Sequence, residues 1–246
     1  MDNLKTSFGK QKVRQNQKTK MVQTVFSEVS KKYDLMNDLM SFGTHRLWKK
    51  NLIELMNIQN NDKIIDVGSG TGDLIQIMQR KKSNLSITSI DLNIEMLKSA
   101  RKKFTNKKRK NLNWINCNAE KLPFKDDVFD KYIISFCLRN ITFVDKALSE
   151  AIRILKPGGT FFCLEFSTPQ TPVVNSIYKF YKKNIIPFIG EKIANNKRAY
   201  RYLEQSISQF PQQDVLLTNL KKIGYINASY TNLFDGIVCI HVATKI

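Results

Sequence analysis

IIDVGSGTGDL, residues 64–74, joins an apolar run to a helix-forming one through Gly68, Gly70 and Gly72. A buried strand, a turn and a helix are the elements this order predicts. Without side chains the turn lets a ligand approach the backbone, and the following helix presents free N–H groups. The G-x-G-x-G spacing differs from the G-x-G-x-x-G of dinucleotide sites. Asp66 precedes the turn, and a carboxylate there suits an amino-acid-bearing ligand and opposes a pyrophosphate.

Short apolar runs recur on both sides: LSITSID (85–91), LNWINC (112–117), FDKYIISF (129–136) and TFFCLEF (160–166), with KIID (63–66) the first. Helix-length segments such as DLIQIMQR, EMLKSARKK and VDKALSEAIRIL separate them. Strands alternating with helices imply a parallel sheet covered on both faces, hence an α/β, doubly wound fold. In LKPGG (155–159), Pro157 is expected to stop the preceding helix and the glycines to turn the chain into the next strand. GYINASYTNLF and GIVCIHVATK, split by Asp235, read as a terminal hairpin. Residues 21–57 carry helical apolar spacing and residues 173–210 are rich in aromatics and Lys; both are lid candidates outside a minimal sheet. The expectation is one domain over 1–246: lid helices at 21–57, a ligand-binding core at 62–166, a helical cap insert at 173–210 and a hairpin at 224–245.

The next two strand ends sharpen the ligand. Asp91, in SIDLN, lies at the distance downstream expected of an acid that accepts both ribose hydroxyls. Asn118, Ala119 and Glu120 end the third strand, where amides and backbone suit an adenine edge. Each has a plainer reading: the glycines as steric relief, Asp91 as a cap for the helix beginning near Asn93. Together they favour a nucleoside carrying an amino acid, S-adenosylmethionine.

Composition bounds the rest. The formal charge is +19, with the densest cluster in KSARKKFTNKKRK (98–110); nucleic acid, an anionic membrane or plain solvation all accommodate it. Cys117, Cys137, Cys163 and Cys239 form no C-x-x-C pair and the only histidines are His45 and His241, so no metal is expected. No apolar stretch approaches the roughly 20 residues of a membrane span. The basic, polar start lacks a secretion signal's apolar core, so a cytoplasmic location, with room for peripheral contact at the inner face of the cell membrane, is expected.

From about Phe8 onward the chain resembles the ubiquinone/menaquinone biosynthesis C-methyltransferases, which methylate a ring carbon of a polyprenylated hydroquinone. VFSEVSKKYDLMNDLMSFGTHRLWK (25–49), DVGSGTGDL (66–74), NAEKLPF (118–124), SFCLRNI (135–141), LKPGGTFFCLEFS (155–167), YRYLEQSISQFP (200–211) and GIVCIHVATK (236–245) carry the resemblance. It implies a class I S-adenosylmethionine-dependent methyltransferase fold, with a mostly parallel seven-stranded sheet ending in an antiparallel hairpin. It also implies cofactor contacts at Thr71, Asp91, Asn118, Ala119 and Ser135. Three departures stand out: Gly68-Ser69 where the family more often has alanine-glycine, Cys137 where it usually has glycine, and Gln205 and Ser208 where glutamate and arginine are common.

ISFCLRNI (134–141) raises a separate question, because it ends an apolar run in a guanidinium, and burying an unpaired charge is costly. One answer is that Arg139 waits unpaired for the phenolate that forms during methyl transfer, with Asn140 orienting the ring or a water. The other is an ion pair with Asp145 or Glu165. Arginine is a poor base, which leaves His45, Tyr33 and Asp38, His45 first; His45 packing beside Trp48 is the plain alternative. In SIYKFYKKNIIPFIGEKI (176–193), Tyr178, Phe180, Tyr181 and Phe188 are expected to line a prenyl channel, and Lys179, Lys182 and Lys183 to meet anionic headgroups. The amphipathic alternative is a core helix with a solvated basic face. No nucleic-acid partner is expected, although an RNA methyltransferase is the closest rival; a nicotinamide oxidoreductase and a non-catalytic scaffold are weaker ones. A homodimer or a quinone-biosynthesis assembly is compatible with the sequence.

Overall fold

The computed structural model describes residues 5–82, 84–104 and 111–246. Its centre is a seven-stranded sheet in the order β5-β4-β3-β6-β7-β9-β8. The strands are β3 (Lys63–Val67), β4 (Ser86–Asp91), β5 (Leu112–Asn116), β6 (Phe129–Ser135), β7 (Leu155–Phe166), β8 (Ile226–Leu233) and β9 (Val238–Thr244). β3 to β7 pair in parallel, whereas β9 lies antiparallel to both β7 and β8. The expected α/β architecture with a terminal hairpin is what forms.

Alternation along each strand divides the core in two. Ile65, Val67, Tyr132, Ile134, Phe161 and Cys163 face one layer, closed by α6 (Val144–Ile154) and α10 (Gln213–Ile223). Ile64, Ile133, Phe162 and Leu164 face the other, under α3 (Thr44–Leu55) and α4 (Asp73–Lys81). Because successive strand side chains point to opposite faces, strands buried on both sides must be apolar throughout. Asp66 shares the face of Ile64, and its charge is the exception in that layer.

A third cluster lies above the strands' C-terminal ends. It joins α1 (Gln15–Val29) and α2 (Tyr33–Ser41) to α5 (Ile94–Phe104), α8 (Ile186–Ala194) and α9 (Lys197–Gln209) through Val25, Val29, Met36, Met96, Ile186 and Tyr200. α7 (Pro172–Phe180) runs into α8 through a π-helical turn at Tyr181–Ile185. No helix among the described residues is long and apolar enough to cross a membrane.

At the polar start, β1 (Lys5–Phe8) and β2 (Gln11–Arg14) form a hairpin about Gly9, whose φ is +54°. Two sequence expectations need correction. The helical lid begins at Gln15, six residues earlier than the apolar spacing marks. Pro157 does not end α6, which stops at Ile154; LKPGG is already the start of β7, bulged where the register shifts opposite Phe129 and Lys131. Part of the basic run at 98–110 lies outside the described residues.

Candidate active site

The glycine turn leaves β3 with Gly68, Gly70 and Gly72 all at positive φ (66°, 55° and 82°), conformations that side chains disfavour. Gly72 also abuts Phe104, whose ring would lie 2.9 Å from an added Cβ. Beside the turn is a cavity of about 110 Å³ lined by Gly68, Gly70, Asp91, Asn118, Ala119, Glu120, Ser135 and Cys137. Thus the ends of β3, β4, β5 and β6 converge, as parallel strands bring their C-terminal ends to one edge.

The acids there differ in how they are satisfied. Asp91 accepts the Gly70 N–H at 2.9 Å and the Asn93 N–H at 2.7 Å. Burial raises its pKa to about 6 against those two bonds. It does not cap α5; Asn93 does, accepting from Glu95 and Met96 N–H groups. Asp66 is 1% exposed and neither carboxylate oxygen has a partner. Burial lifts it to about 7, with Lys49 opposing and the acids Asp91 and Asp73 reinforcing the rise. Ser135 Oγ is likewise buried without a partner. Orphaned acceptors beside an open glycine turn fit a ligand with an ammonium and hydroxyl groups, and so fit S-adenosylmethionine. Thr71 already donates to Asp34 Oδ1 at 2.5 Å, and Asn118 Oδ1 accepts from the Glu120 N–H at 2.9 Å. Glu120 is turned to structural use, accepting from the Thr142 and Phe143 N–H groups.

A larger cavity of about 420 Å³ adjoins the first, sharing Tyr33, Gly68, Gly70, Ser135 and Phe136 with it. Its wall is mostly apolar and aromatic, from Phe26, Met36, Met40, Trp48, Phe166, Ile177 and Tyr200, and it takes in Asp66, Arg139 and His45. Arg139 is not the unpaired cation the sequence invites. With 5% of its side chain exposed, it donates from Nη1 to Glu165 Oε1 at 2.8 Å and to the Phe136 carbonyl at 2.6 Å. Glu165 holds the guanidinium above its ordinary pKa even though burial works the other way. β6 and β7 pair Ser135 with Leu164, which brings residue 139 beside 165; Asp145 plays no part in this pair. Nε of Arg139 remains buried without a partner. Its neighbour Asn140 accepts from Tyr202 Oη at 3.0 Å.

His45 Nε2 lies 2.8 Å from Asp38 Oδ1, and Arg46 grips the same carboxylate through two bonds of 2.7 and 2.6 Å. Arg46 and His45 hold Asp38 well below the usual carboxylate range. An ionised Asp38 only accepts, so Nε2 carries the proton and Nδ1, buried without a partner, is an acceptor. Burial and Lys49 lower the imidazole's pKa and keep it neutral. Tyr33 covers Gly70, its ring 4.0 Å from an added Cβ, and burial lifts its hydroxyl to about 12. Neither it nor Asp38 is a base near neutral pH.

Tyr178 and Tyr181 line the large cavity, Tyr178 with an unpartnered buried hydroxyl and Tyr181 donating to the Met40 carbonyl at 2.7 Å. Phe180 and Phe188 do not line it; they are 62% and 57% exposed. Lys182 is buried, bonded to Ser208 Oγ at 3.3 Å and stacked over Tyr178, so only Lys179 and Lys183 of the three lysines face solvent. Gln205, the other departure in that stretch, accepts the Lys10 N–H at 3.0 Å. Sequence reasoning overlooked Asp34, which ties the lid to Thr71 and Lys103. It also overlooked Phe136, at φ +53°, whose carbonyl anchors Arg139. Asp34 lies inside the quoted lid motif; Phe136 gives no sequence signal, since phenylalanine rarely takes that conformation.

Comparison with known proteins agrees in fold and along the length of the chain. The model of the ubiE/COQ5 methyltransferase family matches residues 11–245. A ubiquinone/menaquinone biosynthesis C-methyltransferase UbiE of Rickettsia bellii is 47% identical over 247 residues, covering 98% of this chain and 99% of the relative. The protein of that name from Rickettsia rickettsii is 48% identical over 244 residues, covering 97% and 98%. Among solved structures, a SAM-dependent methyltransferase of Thermotoga maritima superposes with a TM-score of 0.64 at 18% identity, covering 91% of this chain and 99% of that one. A phosphoethanolamine N-methyltransferase of Haemonchus contortus, solved with S-adenosylhomocysteine, gives 0.62 at 16% identity, covering 82% and 52%. At those identities the two structures speak for the fold.

Proposed function

This chain belongs to the ubiE/COQ5 methyltransferase family, and on that premise we propose how its residues divide the work of methyl transfer. It is an S-adenosylmethionine-dependent C-methyltransferase of ubiquinone/menaquinone biosynthesis, and its acceptor is a hydroquinone. The observation that carries the division is one apolar cavity opening onto the glycine turn, with a guanidinium and a neutral imidazole in its wall.

S-adenosylmethionine supplies a methyl group activated by its sulfonium. Asp66 takes the ammonium of that ligand, Asp91 the ribose hydroxyls, Asn118 and Ala119 the adenine edge; Gly68, Gly70, Thr71 and Ser135 complete the contacts. The acceptor ring lies in the larger cavity, held near the methyl group by Tyr33 and the aromatic wall. A ring carbon becomes strongly nucleophilic when the neighbouring hydroxyl ionises, and phenols of this kind ionise near pH 10, roughly as tyrosine does. Arg139 favours the phenolate as a directional donor through its free Nε–H, its full charge being compensated by Glu165. Asn140, held by Tyr202 and lining the smaller cavity rather than the larger one, orients a water beside the ring. His45 accepts the proton at Nδ1, and Asp38 stabilises the imidazolium that results.

The acceptor's prenyl tail leaves past Ile177, Tyr178 and Tyr181. Exposed Phe42, Val173, Phe180 and Phe188, with Lys179 and Lys183 beside them in the chain, then meet an anionic bilayer at the inner face of the membrane. An RNA acceptor is not favoured, because the cavity wall offers aromatic and aliphatic surface. The test is transfer of labelled methyl by the purified protein, offered demethylated benzoquinol, demethylmenaquinol and total RNA in parallel. Label in a quinol is expected, and which quinol decides between the two pathways. Label in RNA alone would overturn the reading.

A further inference from the structure

The glycine turn meets the segment after β6 at a contact that the chemistry above leaves unused. An ideal Cβ on Gly68 would lie 2.2 Å from Cys137 Sγ and 2.6 Å from Cys137 Cβ. Non-bonded heavy atoms attract best at roughly 3.5–4.0 Å, so residue 68 has no room for even a methyl group while Cys137 stays in place. Within the turn the crowding is tightest at this glycine, since an added Cβ at Gly72 would lie 2.9 Å from Phe104. At Gly70, also at positive φ, the nearest atom to an added Cβ is 4.0 Å away.

Both residues line the smaller cavity, and Gly68 faces the larger one as well. Cys137 directly precedes the 3-10 turn Leu138–Asn140, whose first new hydrogen bond runs from the Asn140 N–H to the Cys137 carbonyl at 2.9 Å. The cysteine therefore stands between two segments that must keep a fixed separation: the turn that receives the methyl donor and the turn that carries Arg139 and Asn140. Its chemistry is quiet. Burial pushes the thiol's pKa up, and a protonated thiol is a weak nucleophile beside a methyl donor.

We infer that Cys137 is a positioning residue for the cofactor site: its side chain is a spacer packed against Gly68, which holds residue 68 to glycine in addition to its positive φ. The inference rests on the reading of this cavity as the S-adenosylmethionine site. It predicts coupling between two positions 69 residues apart in the chain.

The experiment is a double-mutant cycle of G68A, C137G and G68A/C137G, with C137S as the conservative variant. It is read by calorimetric binding of S-adenosylhomocysteine and by melting temperature without ligand. G68A alone is expected to weaken binding about tenfold or more, whereas in the C137G background the same change costs about threefold or less. That residue of cost reflects the positive φ alone. C137S, which keeps the volume, is expected to bind within about threefold of the parent. If G68A folds poorly, recovery of its melting temperature in the double variant gives the same answer without ligand. An equal cost of G68A in both backgrounds, in binding and in melting, would overturn the spacer. Failure of the parent protein itself to bind S-adenosylhomocysteine would instead strike the site reading beneath it.

Discussion

At Asp66 two buried carboxylate oxygens lack partners, and burial lifts the pKa to about 7 from an ordinary 3.8. The sign of the stability effect follows. Below pH 3.8 the group is protonated folded or unfolded and carries no penalty; as pH rises toward and through 7 the folded state must hold an unpaired charge, and that stability is lost. Asp66→Asn is therefore expected to raise the melting temperature of the ligand-free protein above pH 7, by about 1–3 kcal/mol of stability, with the gain vanishing near pH 4. The same change is expected to cost at least about tenfold in S-adenosylhomocysteine affinity, since a charged acceptor is lost. Melting and calorimetry from pH 4 to 8, values bracketing the shift, check both; a variant that binds as tightly as the parent would remove Asp66 from the site. Arg139 presents the opposite case, a charge already matched. Arg139→Lys keeps the charge and loses the planar fork, so turnover is expected to fall about 10²-fold or more with cofactor affinity little changed. Unchanged turnover sinks the phenolate role. Glu165→Gln leaves the buried guanidinium unmatched and is expected to destabilise the fold by about 3–5 kcal/mol, read by denaturant titration.

The lid helices are held down by a small number of polar contacts reaching across from α1 and α2 to the core. Asp34 of α2 accepts from Thr71 of the glycine turn and pairs with Lys103 of α5, while Lys103 and Lys49 also reach Asp73 at 3.5 and 2.8 Å. Partly exposed ion pairs contribute up to about 1 kcal/mol each, so the clasp is strong enough to bias an opening and too weak to forbid it. Asp34→Ala is expected to speed release of S-adenosylhomocysteine about three- to tenfold with little change in melting temperature. Stopped-flow displacement measures it, and an unaltered release rate would mean that α2 does not gate the site. The helices of this lid were legible in the apolar spacing of Val22, Val25, Phe26 and Val29, and the strands in their unbroken apolar runs, because both signals are local. The elements that escaped are held by distant partners. β1 and β2 offer little apolar surface, and Phe8 is fixed by stacking on Tyr202 at 4.3 Å, far along the chain. The Arg139–Glu165 pair is legible only as one alternative beside Asp145 and an unpaired cation, because its partners meet through the β6–β7 register. Lys182 turns inward because it lies four residues beyond buried Tyr178, over whose ring it stacks, whereas composition alone groups it with the exposed lysines on either side.

Over the whole molecule the charge of +19 and the exposed apolar residues have to be read together. Phe42 is 80% exposed at the tip between α2 and α3, held at φ 49°, and its ring lies 6.2 Å from that of Tyr181 in the cavity wall. Val173, Ile177 and Phe180 follow helical spacing on α7 and are 67%, 65% and 62% exposed. Side chains at i, i+4 and i+7 share one helix face, so α7 turns an apolar stripe outward next to the cavity it helps to line. Water is a poor solvent for such a stripe, and a bilayer interface is a good one. The lysines add a second term that salt weakens: each contributes about 1 kcal/mol near an anionic surface and falls off within a Debye length. Co-sedimentation with vesicles containing phosphatidylglycerol is therefore expected to fall as salt is raised. It is expected to drop about tenfold or more in K179Q/K183Q and to drop in V173S/F180S even at low salt. The two variants separate the terms, since the first leaves the apolar stripe intact and the second leaves the charge. Methyl transfer to a short-chain, water-soluble quinol is expected to survive in both, because neither change touches the ring or cofactor residues. Vesicle binding that persists in both variants would place the contact elsewhere on this basic surface and separate it from the mouth of the cavity.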